Sequence, residues 1–181
     1  KIIYLSIELL SQGTKNENVS LINQDTFLKF PNSAINIRLN NELRKFFSQY
    51  MPLDPTYADV KTGLSSGDNS RFYRLVWDVP SHDERWVFLS NGGKFLPFYM
   101  QTREVIDWKK SGQIVKSNDG AYIRNKSYYF NYGLSYGKRG EFLAIHTHPT
   151  NKIFTNEGQG IFPKLEENQY FILGILNSNL Y

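Results

Sequence analysis

A glycine-punctuated stretch over residues 60–79 contains the residue types best suited to binding an anion. Its two glycines and the polar pair after them are Gly63, Gly67, Asp68 and Asn69. Glycine supplies positive-φ backbone, and Asp or Asn bonds to nearby amides, so these residues predict a tight loop with available backbone N–H groups. The aromatic and branched residues that follow predict a strand over residues 71–79, which carries Arg71 and Arg74. The same pattern also fits an ordinary turn that leads into a core strand.

Two histidines form the sharpest competing pattern, because imidazoles two residues apart can bind zinc. The segment His146-Thr-His148-Pro149 resembles the zinc pattern of JAMM-type isopeptidases, in which a carboxylate is the third ligand and water takes the fourth position. Where that family has its serine and aspartate, this chain has Glu157 and Gly160. We therefore expect no metal at this pair. A metal-dependent hydrolase built on His146 and His148 remains an alternative function, as does a protein-binding or glycan-binding module that uses exposed aromatic residues.

The segment Asp54-Pro-Thr-Tyr57 is similar to the Asp/Asn-Pro-Pro-Tyr/Phe loop with which adenine methyltransferases hold the target amine. Its second proline is missing, and no glycine-rich turn after a strand precedes it. We therefore predict a turn at this place. We also predict that this part of the chain has no methyltransferase activity and binds no adenosyl cofactor.

Several short blocks, spread over most of the chain, share the residues of one protein family. The first block is residues 63–74, with the sequence GLSSGDNSRFYR and Trp77 shortly after it. The later blocks are residues 91–95, 99, 105–108, 112–116, 123–130, 133–136, 152–154, 160–163 and 170–180. In this order they resemble the C-terminal target-recognition domains of two related enzyme groups. These are the adenine-specific methyltransferases of BREX phage-exclusion systems and the type IIG restriction-modification enzymes.

This resemblance implies that the chain recognises a specific sequence in double-stranded DNA for a parent enzyme that flips and methylates an adenine. It implies no cofactor in this fragment and S-adenosylmethionine in the parent. The partners would be double-stranded DNA and the remainder of the parent methyltransferase. The parent would be a bacterial, cytoplasmic enzyme of phage defence, and the resemblance leaves open whether it also cleaves DNA.

Positive charge is concentrated in the middle of the chain. Residues 61–139 hold thirteen Lys and Arg against seven Asp and Glu. Residues 1–60 are balanced at six of each, and residues 140–181 hold two against four. A basic region of this kind is typical of a surface that meets phosphates, although an ordinary solvated face shows a similar excess.

Taken with the resemblance, this charge predicts a set of DNA-binding residues in the basic middle of the chain. They are Asn69, Arg71, Arg74, Lys94, Arg103, Lys116, Arg124, Lys126, Ser135, Tyr136, Lys138 and Arg139. Among them we expect Arg71 and Arg124 to affect sequence specificity, because arginine pairs with guanine. We expect Lys138 and Arg139 to contact phosphates.

Composition bounds the class of protein. With 181 residues, of which 40% are hydrophobic, the chain is long enough for one sizeable core, which predicts a single domain over residues 1–181. The first residue is Lys1 rather than methionine, so we expect a fragment of a longer protein. The chain has no cysteine, which excludes disulfides and fits a reducing cytoplasm. No apolar run approaches about 18 residues, so we expect no membrane span.

Two helices are predicted from apolar residues at three-to-four spacing. One covers residues 40–50 with Asn40 as its cap, and the other covers residues 169–180. The predicted fold class is α+β, with a mixed, largely antiparallel sheet of short strands, long loops and these two principal helices.

Short branched and aromatic runs predict the strands. They include residues 86–89 and residues 141–145, which end at the histidine pair, whereas residues 105–108 fit either a strand or a short helix. Residues 133–140 predict a flexible basic loop or a hairpin connection. Residues 118–120 predict a turn.

Overall fold

The computed structural model describes residues 2–4, 21–30, 33, 41–92, 96–140 and 142–178. The chain forms two compact units, Lys1–Pro52 and Leu53–Tyr181, which we describe separately. The single target-recognition domain over residues 1–181 stays a prediction. Within the described ranges, no helix is both long and apolar enough to cross a membrane.

The described residues of the first unit form a pair of short strands and two helices. They are β1 (Ile2–Tyr4), the antiparallel β2 (Leu21–Asn23), a 3-10 helix (Gln24–Lys29) and α1 (Asn41–Gln49). The rings of Phe30 and Phe47 meet edge to face at 5.1 Å and join the last two of these elements. The predicted helix over residues 40–50 is confirmed, while its predicted cap, Asn40, lies outside the described residues.

Over the part of the second unit that the structure describes, the strands form two four-stranded sheets. Their strands are β3 (Ala58–Lys61), β4 (Tyr73–Leu75), β5 (Trp86–Ser90), β6 (Glu104–Asp107), β7 (Gly133–Gly137), β8 (Ile145–His148), β9 (Lys152–Phe154) and β10 (Gly158–Pro163). The first sheet has the order β3-β10-β7-β8 and is antiparallel throughout. The second has the order β4-β6-β5-β9, in which β5 and β9 run parallel. The α+β class is confirmed, although the strands divide between two sheets.

The helices of the second unit are mostly single turns. They are α2 (Leu53–Thr56), α3 (Asn69–Phe72), α4 (Gln113–Lys116) and α5 (Gln169–Leu176), with 3-10 turns at Val76–Asp78, Lys126–Tyr128 and Glu166–Asn168. The turn at Lys109–Gly112 has left-handed backbone at Lys110 and Ser111. The longest of these helices, α5, confirms the second principal helix. Asn177 caps its end, and the Nδ2 of this residue donates to the Leu173 carbonyl at 3.0 Å. Residues 179 and 180, at the end of the predicted helix, lie outside the described ranges.

The strand predicted over residues 71–79 is wrong for most of its length. The carboxylate of Asp68 accepts a hydrogen bond from the Arg71 backbone N–H at 3.1 Å and caps α3. Only the three residues of β4 are extended, and they pair with β6. Local capping therefore overrides the strand propensity of this aromatic run.

Other segments agree with their predictions in part. The strand over residues 86–89 is confirmed as β5, and residues 105–108 largely form the strand β6. The strand predicted over residues 141–145 is wrong, because β8 begins at Ile145 and contains both histidines. Residues 133–140 are not a loop throughout, since the first five form β7.

Two buried apolar clusters support the sheets. The larger consists of Leu64, Phe72, Leu89, Ile106, Trp108, Val115, Tyr129, Ile153, Phe154 and Phe162. The smaller consists of Ala58, Leu134, Ile145, Ile161, Ile172 and Leu173. Because its last two members belong to α5, this helix covers the first sheet. Segments far apart in sequence thus depend on each other for burial.

Candidate nucleic-acid interface

Residues 63–66, here called the central ribbon, are held by backbone hydrogen bonds on both edges. On one edge the Leu64 carbonyl accepts from the Asn156 N–H at 2.9 Å. On the other edge Ser65 and Tyr122 donate to each other's carbonyl at 2.9 and 3.0 Å. The predicted loop is therefore fixed along its base.

Gly63 and Gly67 are required for different reasons. Gly67 has a φ of +71°, as the sequence predicts. The prediction of a positive φ at Gly63 is wrong. A Cβ atom at Gly63 would lie 1.9 Å from the carbonyl oxygen of Phe154, so glycine is needed there for close backbone approach.

Asn118, in the predicted turn at residues 118–120, connects the central ribbon to α3. Its Nδ2 donates to the Ser66 carbonyl at 3.0 Å, and its Oδ1 accepts from Arg71 Nη1 at 3.1 Å. Asn69 is also bonded to Ser66, because the Asn69 Oδ1 accepts a hydrogen bond from the Ser66 Oγ at 2.6 Å. One asparagine therefore orients a predicted contact residue and fixes the backbone beside it.

Arg71 and Arg124 are exposed and both rest on aromatic rings. The guanidinium carbon of Arg71 lies 5.0 Å from the ring centroid of Phe72, and that of Arg124 lies 4.3 Å from the ring centroid of Tyr122. Stacking restricts a guanidinium while leaving its in-plane N–H donors available. We define the arginine junction as Asn69, Arg71, Asn118, Tyr122 and Arg124.

Arg74 has a structural role. Its Nη1 donates to the carbonyl oxygens of Tyr73 at 2.6 Å and Ser70 at 2.8 Å, and it lies 3.4 Å from that of Arg71. These carbonyls end α3, where a cation is favourable. The Nη1 group of Arg74 is therefore used inside the protein, at the end of α3.

The bend after β7 carries the exposed residues Lys138 and Arg139. The Lys138 backbone N–H donates to the Glu157 carbonyl at 2.8 Å, and Arg139 Nε lies 3.5 Å from Glu157 Oε2. Glu157 follows Asn156, whose backbone N–H donates to the Leu64 carbonyl. The segment Asn156-Glu157 therefore contacts both the bend and the central ribbon. The charge of Arg139 is partly neutralised by Glu157.

The remaining predicted cations lie elsewhere on the chain. Lys126 Nζ donates to the Ser111 carbonyl at 3.0 Å. Lys116 is exposed at the end of α4, and Arg103 is exposed just before β6. Lys94 lies outside the described residues.

Ser135 and Tyr136 are turned inward. Ser135 is fully buried, and its Oγ donates to the Gln159 carbonyl at 2.9 Å and lies 2.8 Å from Ser90 Oγ. This burial corrects the interpretation of Ser135 as a surface residue. Tyr136 is half-buried, and its hydroxyl donates to Gln159 Oε1 at 2.7 Å. Both side chains hold strands together in the first sheet.

Ion pairs neutralise only part of the basic region. Arg85 pairs with the buried Asp107, and the bond to this guanidinium holds the pKa of Asp107 below its usual value. Lys61 pairs with Asp59 at 3.3 Å. Among the described residues 61–139, these two cations and Arg139 form ion pairs, which leaves the junction arginines without one.

Asp54 has a local role in the backbone. Its Oδ1 accepts a hydrogen bond from the Val60 backbone N–H at 3.3 Å. The prediction of a turn at this place is confirmed, because the backbone of Asp54 is extended rather than helical inside α2, and the segment leads into β3.

His146 and His148 are buried inside β8, with 4% and 0% of their surfaces exposed. Burial and then the charge of Lys152 lower the pKa of each to about 4, so both are neutral at pH 7. In the part of the chain that the structure describes, no group of three or more His, Asp or Glu is placed to hold a metal ion. The Lys152 ammonium nearby also disfavours a second cation.

Comparison with known proteins shows a similarity to part of a methyltransferase. No family model matches the chain. Over 194 aligned residues the chain is 25% identical to the adenine-specific methyltransferase PglX of Lacticaseibacillus casei (strain Zhang). The alignment covers 92% of this chain but only 16% of that protein. The chain is therefore similar to a limited segment of this relative, which supports a related domain.

Proposed function

We propose that this chain is a target-recognition domain that binds a specific sequence of double-stranded DNA for an adenine-specific methyltransferase. The observation that carries the proposal is the arginine junction, where two exposed guanidinium groups are supported by a backbone fixed on both edges. The similarity to the PglX methyltransferase supports the same class. S-adenosylmethionine, the pocket for the flipped adenine and any cleavage chemistry would belong to the remainder of a bacterial, cytoplasmic parent that acts in phage defence.

Base recognition is assigned to the arginine junction. A guanidinium presents two donors in a plane that match O6 and N7 of guanine in the major groove. Because Asn118 and Tyr122 already restrict Arg71 and Arg124, less side-chain entropy is lost on binding. Asn69 accepts from Ser66 through Oδ1, which leaves its Nδ2 as a donor to a base edge.

Phosphate binding is assigned to the exposed cations around the junction. Lys138 and Arg139 lie on the bend next to the segment that borders the central ribbon. Each phosphate that these side chains neutralise releases condensed counterions. The affinity for any duplex should therefore depend on salt, whereas sequence preference should depend on the junction.

Duplex binding followed by fluorescence anisotropy at several salt concentrations tests the proposal. We expect the logarithm of affinity to fall with the logarithm of salt by about 0.9 per neutralised phosphate, with a nonspecific Kd of roughly 10⁻⁴ to 10⁻⁶ M at physiological salt. The variant Lys138→Glu/Arg139→Glu should weaken binding to all duplexes and reduce the salt slope by about one per lost contact.

A matched control is Lys45→Glu/Lys164→Glu, which makes the same change of charge at two exposed lysines outside the basic region. Equal losses in the two variants would indicate a general charge effect and contradict the assignment. Unchanged affinity and slope in Lys138→Glu/Arg139→Glu would contradict it as well.

A further inference from the structure

A pocket of about 390 Å³ lies in the second unit, and no residue of the arginine junction lines it. Strands of both sheets contribute to it, with Phe88 from β5, Thr147 from β8 and Lys152 from β9. The segment 99–102 forms a further wall. Its neighbour Phe98 is bonded to β8, because the Phe98 N–H donates to the Ile145 carbonyl at 2.7 Å. The wall is therefore attached to the edge of the first sheet.

Lys152 gives the pocket a buried positive charge. Only 7% of its surface is exposed, and burial lowers the pKa of its ammonium group. In the described ranges, Lys152 Nζ has no hydrogen bond or ion pair with another residue. The side chain is largely desolvated, while Nζ itself keeps some exposure and Lys152 lines the pocket, so a bound anion would supply the partner that the protein does not.

The titratable groups packed near Lys152 include His146 and His148, and neither provides a negative charge. The Thr102 hydroxyl, which lines the same pocket, is buried without a hydrogen-bond partner. A ligand with several oxygen atoms would satisfy both the ammonium and the hydroxyl. The polar side of the pocket therefore suits a phosphate group.

The other walls suit a flat aromatic group. Phe88, Tyr99 and Tyr132 line the pocket, and Tyr99 is mostly exposed, so its ring is accessible for stacking. The side-chain amides of Gln101 and Asn151 add donors and acceptors of the kind that pair with base edges. The volume is in the range of pockets that hold small molecules.

We propose that this pocket binds one nucleotide, with its phosphate at Lys152 and its base against the aromatic walls. The nucleotide would be either a free nucleoside monophosphate or a nucleotide extruded from a DNA strand, which share this chemistry. The choice of a nucleotide over another aromatic anion rests on the proposed DNA-binding function. The location of the site and its preference for an anion rest on the pocket alone.

Titration calorimetry with the four deoxynucleoside monophosphates tests whether the pocket binds a free nucleotide. We expect saturable binding that Lys152→Met weakens by about tenfold to a hundredfold, as for loss of a charge-assisted hydrogen bond, and that Lys152→Arg largely retains. Deoxynucleosides and inorganic phosphate should each bind more weakly than the monophosphates. Tyr99→Ala, a change at an exposed ring, should weaken nucleotide binding without affecting the fold.

Duplexes that carry one extrahelical 2-aminopurine test whether the pocket binds a nucleotide extruded from DNA. The fluorescence of 2-aminopurine falls when this base stacks on an aromatic ring. A fluorescence change that Tyr99→Ala and Lys152→Met abolish would support an extruded nucleotide. Failure of both nucleotides and 2-aminopurine duplexes to bind would overturn the inference, as would equal nucleotide affinity in Lys152→Met and the unmodified protein. Intact duplex binding without nucleotide binding would overturn only the pocket inference, whereas the reverse would overturn only the proposed function.

Discussion

The second unit has positively charged side chains in two different environments, one exposed to solvent and one buried. At the arginine junction, Arg71 and Arg124 are exposed and rest on aromatic rings. At the pocket, Lys152 is buried beside two neutral histidines. An exposed charge stays hydrated and changes the free energy of folding little. A buried charge loses hydration when the protein folds, which lowers the stability of the folded state. Changes at the two junction arginines should therefore mainly alter binding, and changes at the buried groups beside the pocket should alter stability as well.

The largest effect should come from protonation of the buried histidines. Their pKa of about 4 in the folded state compares with 6.5 for an ordinary histidine, so between these values the unfolded chain binds protons that the folded chain does not. The stability present above pH 6.5 should fall as the pH falls towards 4, by about 3 kcal/mol for each histidine over the whole window. Urea unfolding at pH 7.5 and at pH 5 measures most of this loss.

The third histidine supplies the control for this titration. His82 is exposed, so His82→Asn should keep the pH dependence, whereas His146→Leu/His148→Leu should lose most of it. A protein that is equally stable at pH 5 and pH 7.5 would show that the buried imidazoles are not the cause.

The central ribbon should tolerate no side chain at Gly63. A Cβ there would lie 1.9 Å from a carbonyl oxygen of β9, so Gly63→Ala should destabilise the protein by about 3 kcal/mol. Gly174→Ala is the matched control, because a Cβ on this residue of α5 meets nothing within 4 Å and alanine favours helix. Thermal unfolding of the two variants compares them directly. Similar melting temperatures for both would contradict the rigid attachment of the ribbon.

The buried ammonium should cost stability when no ligand is bound. Lys152→Met keeps most of the side-chain volume and removes the charge, so it should raise the free energy of unfolding by about 1–2 kcal/mol. The same change at the exposed Lys164 should alter it by less than about 0.5 kcal/mol. Urea unfolding at pH 7.5 measures both. A clear loss of stability in Lys152→Met would mean that the ammonium is satisfied inside the protein, and the two regions would no longer differ in the way described.

The same two regions differ in how far the sequence could predict them. Asn69 and Arg71 belong to the glycine-rich segment, so the loop and Arg71 were predicted from local pattern, whereas their link to Asn118, 47 residues from Arg71, was not. The helical turn of α3 was missed, although Asp68 before three polar residues is a typical helix N-cap. The pocket could not be predicted, because Phe88, Tyr132 and Lys152 come from segments that only the strand order brings together. No local pattern encodes that order, which also explains why two sheets were predicted as one.

The smallest and most specific effect should come from Arg71→Lys, which keeps the charge and removes the planar pair of donors. Asn118 Oδ1 orients the guanidinium of Arg71, and an ammonium cannot reproduce both that bond and a bidentate contact with guanine. We expect an unchanged salt slope, unchanged stability, and a loss of preference of about 1 kcal/mol at one base pair. Selection from a randomised duplex pool, followed by competition binding at fixed salt, measures this preference. Arg71→Ala should show the same loss of preference together with a smaller salt slope, because it also removes the charge. If Arg71→Lys lowered affinity for all duplexes equally and left the selected sequence unchanged, Arg71 would be a phosphate contact, and base reading would have to lie elsewhere at the junction.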